Sequence, residues 1–417
     1  MNDPKDFRIT RIAARRRNLF GWLRACLKME RGCVEDQPQH GENTPRHLNS
    51  ETCCGWSRTT QPRSRVFRQA LRSLCVRMAR FMKGTSPRAI PSIASLLVTT
   101  LFVLSCHSSL AGETAPGREA RTLKDCLRPA PKNGGFRMDG QIIWCSSVIK
   151  VGDTYHMFAS RWPHQYGLGG WTRHSECVRA TSSNLLGPYE FQEVVLQKRT
   201  NNWDNTRIHN VKIVQAGNKF VLYYIDSANE TGFAVADSIT GPWVRRDEIA
   251  MRVSNPSILV RPDQSIYVFA RLKDGEGVNR GIAFTAPDYN GPYSVVANGD
   301  NLLPGGGELE DPTIWWANGQ YNVLLNDWKG KATDIAKAGA QYFSKDGIHY
   351  TLMNREPVFT KTVEYDDGTS ETFRRRERPF VYVNEKGEAT ALFTACMMPD
   401  ERAWVVAQPV DRYVPGN

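Results

Sequence analysis

Beyond residue 111, this 417-residue chain is poor in three things that would each have fixed a class. It has few cysteines: Cys126, Cys145, Cys177 and Cys396. Their spacings match no zinc pattern, so no metal site is expected from them. Four thiols permit three pairings in an oxidising compartment, but a domain of this size needs none of them. It has no charge surplus, the net being −1 against +11 for the whole chain. The excess sits in residues 1–111, so the folded part has no general pull on polyanions and nucleic acid is not an expected partner. It also lacks any sustained 3.6-residue apolar period, and so any convincing amphipathic helix. Nucleotide, haem and peptidase motifs are missing too.

The basic leader has its own logic. The stretch MKGTSPRAIPSIASLLVTTLFVLSCHSSLAG starts at Met82 with Lys83 and Arg88 and runs through apolar residues to Leu104. It ends in Ser109-Leu110-Ala111, small residues of the kind a signal peptidase reads. Residues 82–111 therefore read as a signal peptide, cleaved after Ala111, which exports the rest to the periplasm or the outside. The apolar run just reaches bilayer-spanning length, so a retained membrane anchor stays open. So does a lipoprotein attached at Cys106, in VLSC. Residues 1–81 are Arg-rich without apolar period. They read as a mis-assigned extension upstream of a start at Met82, or as a disordered basic tail. Residues 112–133 read as a linker or N-terminal segment, and 134–417 as the folded domain, expected to be a monomer.

What is present is a repeat. CSSVIKVGDTYHMFASRW from Cys145, NVKIVQAGNKFVLYYI from Asn210, NPSILVRPDQSIYVFAR from Asn255, DPTIWWANGQYNVLLND from Asp311 and RPFVYVNEKGEATALFTA from Arg378 share one pattern. Each has a polar start, a short apolar run, a Gly/Asn/Asp turn and an aromatic-rich strand, which is a β-hairpin. A second marker follows most of them: LLGPYEF, ITGPWVR, YNGPYSV and KDGIHYT. Hairpin plus hairpin makes a four-stranded unit, and five such units predict an all-β fold, a five-bladed β-propeller of four-stranded blades. A sandwich of unrelated hairpins is the competing reading.

In a propeller the first strand of every blade lines the central channel, so five strand starts converge on one end of it. The pairs at those starts are Trp144-Cys145, His209-Asn210, Ser254-Asn255, Glu310-Asp311 and Glu377-Arg378. Acids, His, Asn, Arg and Trp are the chemistry of a polar ligand pocket. The GGGELEDPTIWW stretch, Gly305–Trp316, places its acids at one of these starts, with three glycines to let the backbone turn.

Across about residues 134–410 the chain resembles the five-bladed propellers of glycoside hydrolase family 43. SSVIKVGDTYHMF (from Ser146) is similar to that family's first-blade signature, NPSILVRPDQSIYV (from Asn255) to its third, and EDPTIWWANGQYNVL (from Glu310) to the segment that carries its general acid. The resemblance implies cleavage of a plant- or algal-type polysaccharide or oligosaccharide by acid/base hydrolysis. It implies no cofactor, with Ca²⁺ in the channel as a possibility by analogy. It puts the acid at Glu310, but Cys145 stands where the family has its Asp base, and Asn255 where it has the Asp that tunes the acid.

Cleavage of a glycosidic bond needs a second carboxylate across the sugar. Asp139, just before the first strand, and Glu176, opening the third strand of the first blade, are the candidates for base. Glu310 is expected to stay protonated through burial against Ile314 and Trp315. His209, Asn255, Asp311, Glu377, Arg378, Trp144, Trp162 and Arg161 are the candidates for substrate binding. Indole faces stack on sugars, and Arg reads hydroxyl or acidic groups. RRRER, Arg374–Arg378, reads as a solvated run or as a contact for an anionic carbohydrate. Two other functions share these residues: a carbohydrate-binding propeller whose catalytic set has decayed, and a glycoside phosphorylase.

Overall fold

The computed structural model describes residues 121–226, 230–273, 279–304 and 309–415, all within the unit Glu113–Asn417. The segments read as a basic extension (1–81) and a signal peptide (82–111), and residues 305–308 of GGGELEDP, lie outside the described residues. The fold is all-β. Four antiparallel meanders follow one another: β1–β4 (Gln141–Val151, Thr154–Pro163, Glu176–Ser182, Glu190–Leu196), β5–β8 (His209–Ala216, Lys219–Ile225, Thr231–Ala236, Val244–Arg245), β9–β12 (Ser254–Val260, Ile266–Lys273, Asn279–Ala286, Ser294–Val295) and β13–β16 (Leu309–Ala317, Gln320–Asp327, Ala338–Ser344, Thr351–Leu352). A small hairpin, β17 (Thr362–Glu364) and β18 (Ser370–Thr372), precedes three further strands: β19 (Arg375–Val383), β20 (Ala389–Met397) and β21 (Ala403–Tyr413).

The last group differs from the four-stranded unit expected from sequence. It has three strands of its own, and β21 is bridged to β1 in parallel at Ile142–Ala403, joining both groups into one seven-stranded sheet. Residues 127–136, mostly within the segment read as a linker, lie along the same strand. The Phe136 amide donates to the Val405 carbonyl (2.9 Å) and the Phe136 carbonyl accepts from the Val405 amide (3.0 Å), while the Arg128 amide donates to the Pro409 carbonyl (2.9 Å). Leu123, Cys126 and Ala130 are buried there.

Strand alternation explains the packing. Ile266, Val268 and Ala270 of β10 enter one core and Tyr267 and Phe269 enter the next, because successive side chains leave a strand on opposite faces. A middle strand buried on both faces reads as a continuous apolar run, as β6 does after Lys219. Five such cores fill the spaces between neighbouring sheets. The Gly-Pro markers recur as one turn, with Gly187, Gly241 and Gly291 at φ of 83°, 90° and 92°.

The innermost strands β1, β5, β9, β13 and β19 neighbour one another in turn, and β19 neighbours β1. They share no ladder, so side chains tie them together. Ser147 Oγ accepts from the Ile213 amide (2.8 Å), Ser257 Oγ from Ile314 (2.9 Å) and Thr313 Oγ1 from Val381 (3.3 Å).

Gly135 tests how tightly the N-terminal segment is held. It sits at φ 73°, and an added Cβ would lie 1.9 Å from the Val405 carbonyl oxygen. Gly140, at φ 70°, has nothing within 4 Å of that position. Gly140→Ala should cost about 1–2 kcal/mol, the left-handed penalty alone. Gly135→Ala should cost about 3 kcal/mol or more, because backbone must also move. Equal unfolding midpoints in denaturant would contradict the described packing.

Candidate functional site

Each innermost strand breaks its register once near its start, between Trp144 and Ser147, His209 and Lys212, Glu310 and Thr313, Glu377 and Phe380, and opposite Phe269–Arg271 in the third case. At every break one non-glycine residue adopts left-handed backbone: Cys145 (φ 52°), Asn210 (52°), Asn255 (51°), Asp311 (59°) and Arg378 (58°). A β-bulge of this kind re-aims side chains. Here it produces two tiers, the left-handed residues below and the residue before each of them above.

The lower tier is a linked set. The Cys145 thiol donates to Asn210 Oδ1 (2.8 Å), Asn210 Nδ2 donates to Asn255 Oδ1, and Asn255 Nδ2 donates to Asp311 Oδ1, which also accepts from Arg378 Nη1. Asn326 Nδ2 donates to the other Asp311 oxygen (3.1 Å). Burial pushes the Cys145 thiol up to about 12. Cys145 is therefore not the base that its position would carry in the family it resembles, and Asn255 is committed to structure. Burial also lifts the Asp311 carboxyl to about 7, against the pull of Arg378.

The upper tier is Trp144, His209, Ser254, Glu310 and Glu377, and all five line one cavity of about 440 Å³. The His209 ring lies on Trp171 (centroids 4.9 Å apart), with Nδ1 2.9 Å from Ser175 Oγ and Nε2 3.5 Å from Cys145 Sγ. Burial, then Arg378 and Arg207, hold its pKa well below the usual value, so it faces the cavity neutral. Glu310 Oε1 accepts from Arg271 Nη1 and from Asn279 Nδ2 (2.9 Å). The apolar surround expected for Glu310 is replaced by that ion pair: Ile314 and Trp315 belong to the cores on either side of the sheet. Glu377 is the more buried acid. Its Oε1 accepts from Arg375 (2.9 Å), yet burial raises its pKa, and Glu310 is near enough to raise it further.

Other sequence candidates lie apart from this cavity's lining. Asp139 is exposed in the turn before β1. Glu176 and Arg161 are cross-strand partners on β3 and β2 and pair with each other, Glu176 also accepting from Gln197 (2.8 Å). Trp162 is fully buried and donates to the Gly167 carbonyl (2.9 Å). RRRER is divided by strand alternation. Arg374 pairs with Glu401, Arg375 with Glu377 and Arg378 with Asp311, and Arg376 is buried against Thr394 and Gln408. Sequence reasoning missed Arg207, Arg271, Lys273 and Trp328, which also line the cavity. Arg271 and Lys273 end the strand that follows a recognised start, so counting two residues back from that strand's end was the available signal.

A channel Ca²⁺, which the resemblance allows, does not fit these residues. The lower tier offers one carboxylate, already held by a guanidinium, and the described residues contain no cluster of three or more His, Cys, Asp or Glu suited to a metal.

The lower tier carries two expectations. Asn210→Ala should cost about 1–3 kcal/mol in denaturant, since it strands the Cys145 donor and leaves Asn255 Oδ1 with Ser254 as its remaining donor. For Asp311, a raised folded pKa means stability present below 3.8 and lost as pH rises through about 7. The stability advantage of wild type over Asp311→Asn should therefore shrink across that window. Parallel stability curves for the two proteins would show that Asp311 is ionised throughout.

No protein-family model and no curated protein matches the chain. Solved structures do. One titled glycoside hydrolase aligns with a TM-score of 0.55 at 13% identity, over 70% of this chain and 94% of that one. A xylan β-1,4-xylosidase from Bacillus halodurans C-125 aligns at 0.50 and 16% identity, over 68% and 54%. An exo-β-1,3-galactanase from Phanerochaete chrysosporium aligns at 0.50 and 13%, over 68% and 64%. The chain thus spans less than two thirds of the xylosidase and the galactanase. At these identities the likeness is one of fold: the chain has the propeller-like all-β fold of glycoside hydrolases, as the resemblance of its repeated segments implied.

Proposed function

We propose that this chain is an exported glycoside hydrolase of five blades whose two working carboxylates are Glu377 and Glu310. The observation that carries the proposal is their placement. Both occupy the upper-tier position of neighbouring innermost strands, both face one cavity, and each lies in a different electrostatic setting. Pairs of carboxyls pushed apart in proton affinity are how acid and base roles are divided.

Glu377, whose proton affinity burial raises, is the proton donor. Glu310, oriented by Arg271 and Asn279, is the base. In the inverting reaction that the resemblance implies, water adds to the anomeric carbon as its proton passes to Glu310. The bond to the leaving oxygen breaks as that oxygen takes the proton of Glu377. Neutral His209 and Ser254 hydrogen-bond sugar hydroxyls. This gives Glu377 the role that the resemblance assigned to Glu310.

Glu377→Gln should lower kcat on natural linkages by about 10²–10⁴-fold while sparing aryl glycosides with activated leaving groups, which need less protonation. Glu310→Gln should depress both. The reverse pattern would return the acid role to Glu310. The presence of Cys145 and Asn255 at the positions of family acids favours a second reading, a glycan-binding protein without turnover. Binding of glycans with no cleavage across a broad panel would establish it, and an absolute need for phosphate would mark a phosphorylase. Protein recovered from outside the cytoplasm should begin at or near Gly112.

A further inference from the structure

The cavity is built to receive negative charge. Among the described residues, five cations line it (Arg207, Arg271, Lys273, Arg375 and Arg378) against three carboxylates, Asp226, Glu310 and Glu377. Ion pairs account for Arg271 and Arg375, and Arg378 is taken by Asp311 below. Lys273, exposed at the end of β10, makes no such pair with any described residue. It stands two residues from Arg271, on the same face of the strand.

Two of the three indoles that line the cavity point the same way. A neutral sugar is gripped by a bare indole face. Trp171 carries the His209 ring and the Arg207 guanidinium (4.4 Å from its centroid). Trp328 lies under both Lys337 (5.0 Å) and Arg375 (5.5 Å). These rings position cations by cation–π attraction instead of offering free faces to a pyranose.

We infer that the ligand of this cavity is a sugar bearing an oxyanion substituent, a carboxylate or a sulfate ester, received by Lys273 beside Arg271. The inference rests on the carbohydrate reading proposed above and adds the chemical class. Its test reads binding, so it does not depend on turnover. The full-length protein is titrated by tryptophan fluorescence with three probes of matched length: an oligogalacturonate, its carboxyl-reduced counterpart and a sulfated galactan oligosaccharide. One anionic probe should bind at least about tenfold more tightly than the neutral one, with affinity falling as salt rises. Whichever anionic probe wins identifies the substituent. Lys273→Met should erase about tenfold of that preference, and Lys273→Arg should retain it. Equal affinity for neutral and anionic probes, or a preference untouched by Lys273→Met, overturns the inference. Tight anionic binding without cleavage upholds it while defeating the hydrolase proposal. Cleavage of neutral glycans alone does the opposite.

Discussion

The structure depends on a contact that no strand ladder supplies. Innermost strands of successive sheets neighbour one another without backbone pairing, and one residue from each is turned inward to hold the others. Cys145, Asn210, Asn255, Asp311 and Arg378 do this through side chains alone. Each holds a left-handed backbone that costs a non-glycine residue of order 1 kcal/mol. Asn and Asp adopt it most readily, which accounts for three of the five identities. That tier forms the floor of the cavity and fixes the direction in which Glu310 and Glu377 point.

Much of this was legible because a repeat carries its own geometry. Aligning the hairpins by their turns was enough to single out ten positions, and upper and lower tiers are those ten residues. The last sheet was not legible, since its edge is supplied by residues far away in sequence, around Phe136, with no strand pattern of their own. Asp139 and Glu176 are sequence candidates because each lies at or just before a strand start. Glu176 instead meets Arg161 because antiparallel register places them opposite each other. Local sequence does not reveal which partner a charged residue finds across a strand. That is also why Glu310 was expected in apolar surroundings and is found beside Arg271.

Charge at the site is organised in layers. Asp311 accepts from Arg378 in the floor, Arg271 and Arg375 each hold one carboxylate above it, and indole rings fix Arg207 and Arg375 in place. A guanidinium over an aromatic face keeps its planar edge free for hydrogen bonding. Arg375 can therefore lie over Trp328 and still donate to Glu377.

The pairing of residues 127–136 with β21 bears on the order of assembly. These residues emerge from the ribosome nearly three hundred positions before their partner strand, Ala403–Tyr413. Until that strand arrives, the edge they occupy does not exist, and the cores that take Leu123, Cys126 and Ala130 lack Val406, Val410 and Tyr413. The middle sheets can form as each is synthesised, since their strands are consecutive. The floor of the cavity cannot, because Arg378 is among the last of its members to be made. The site is thus assembled in one late step, when the two ends of the domain meet.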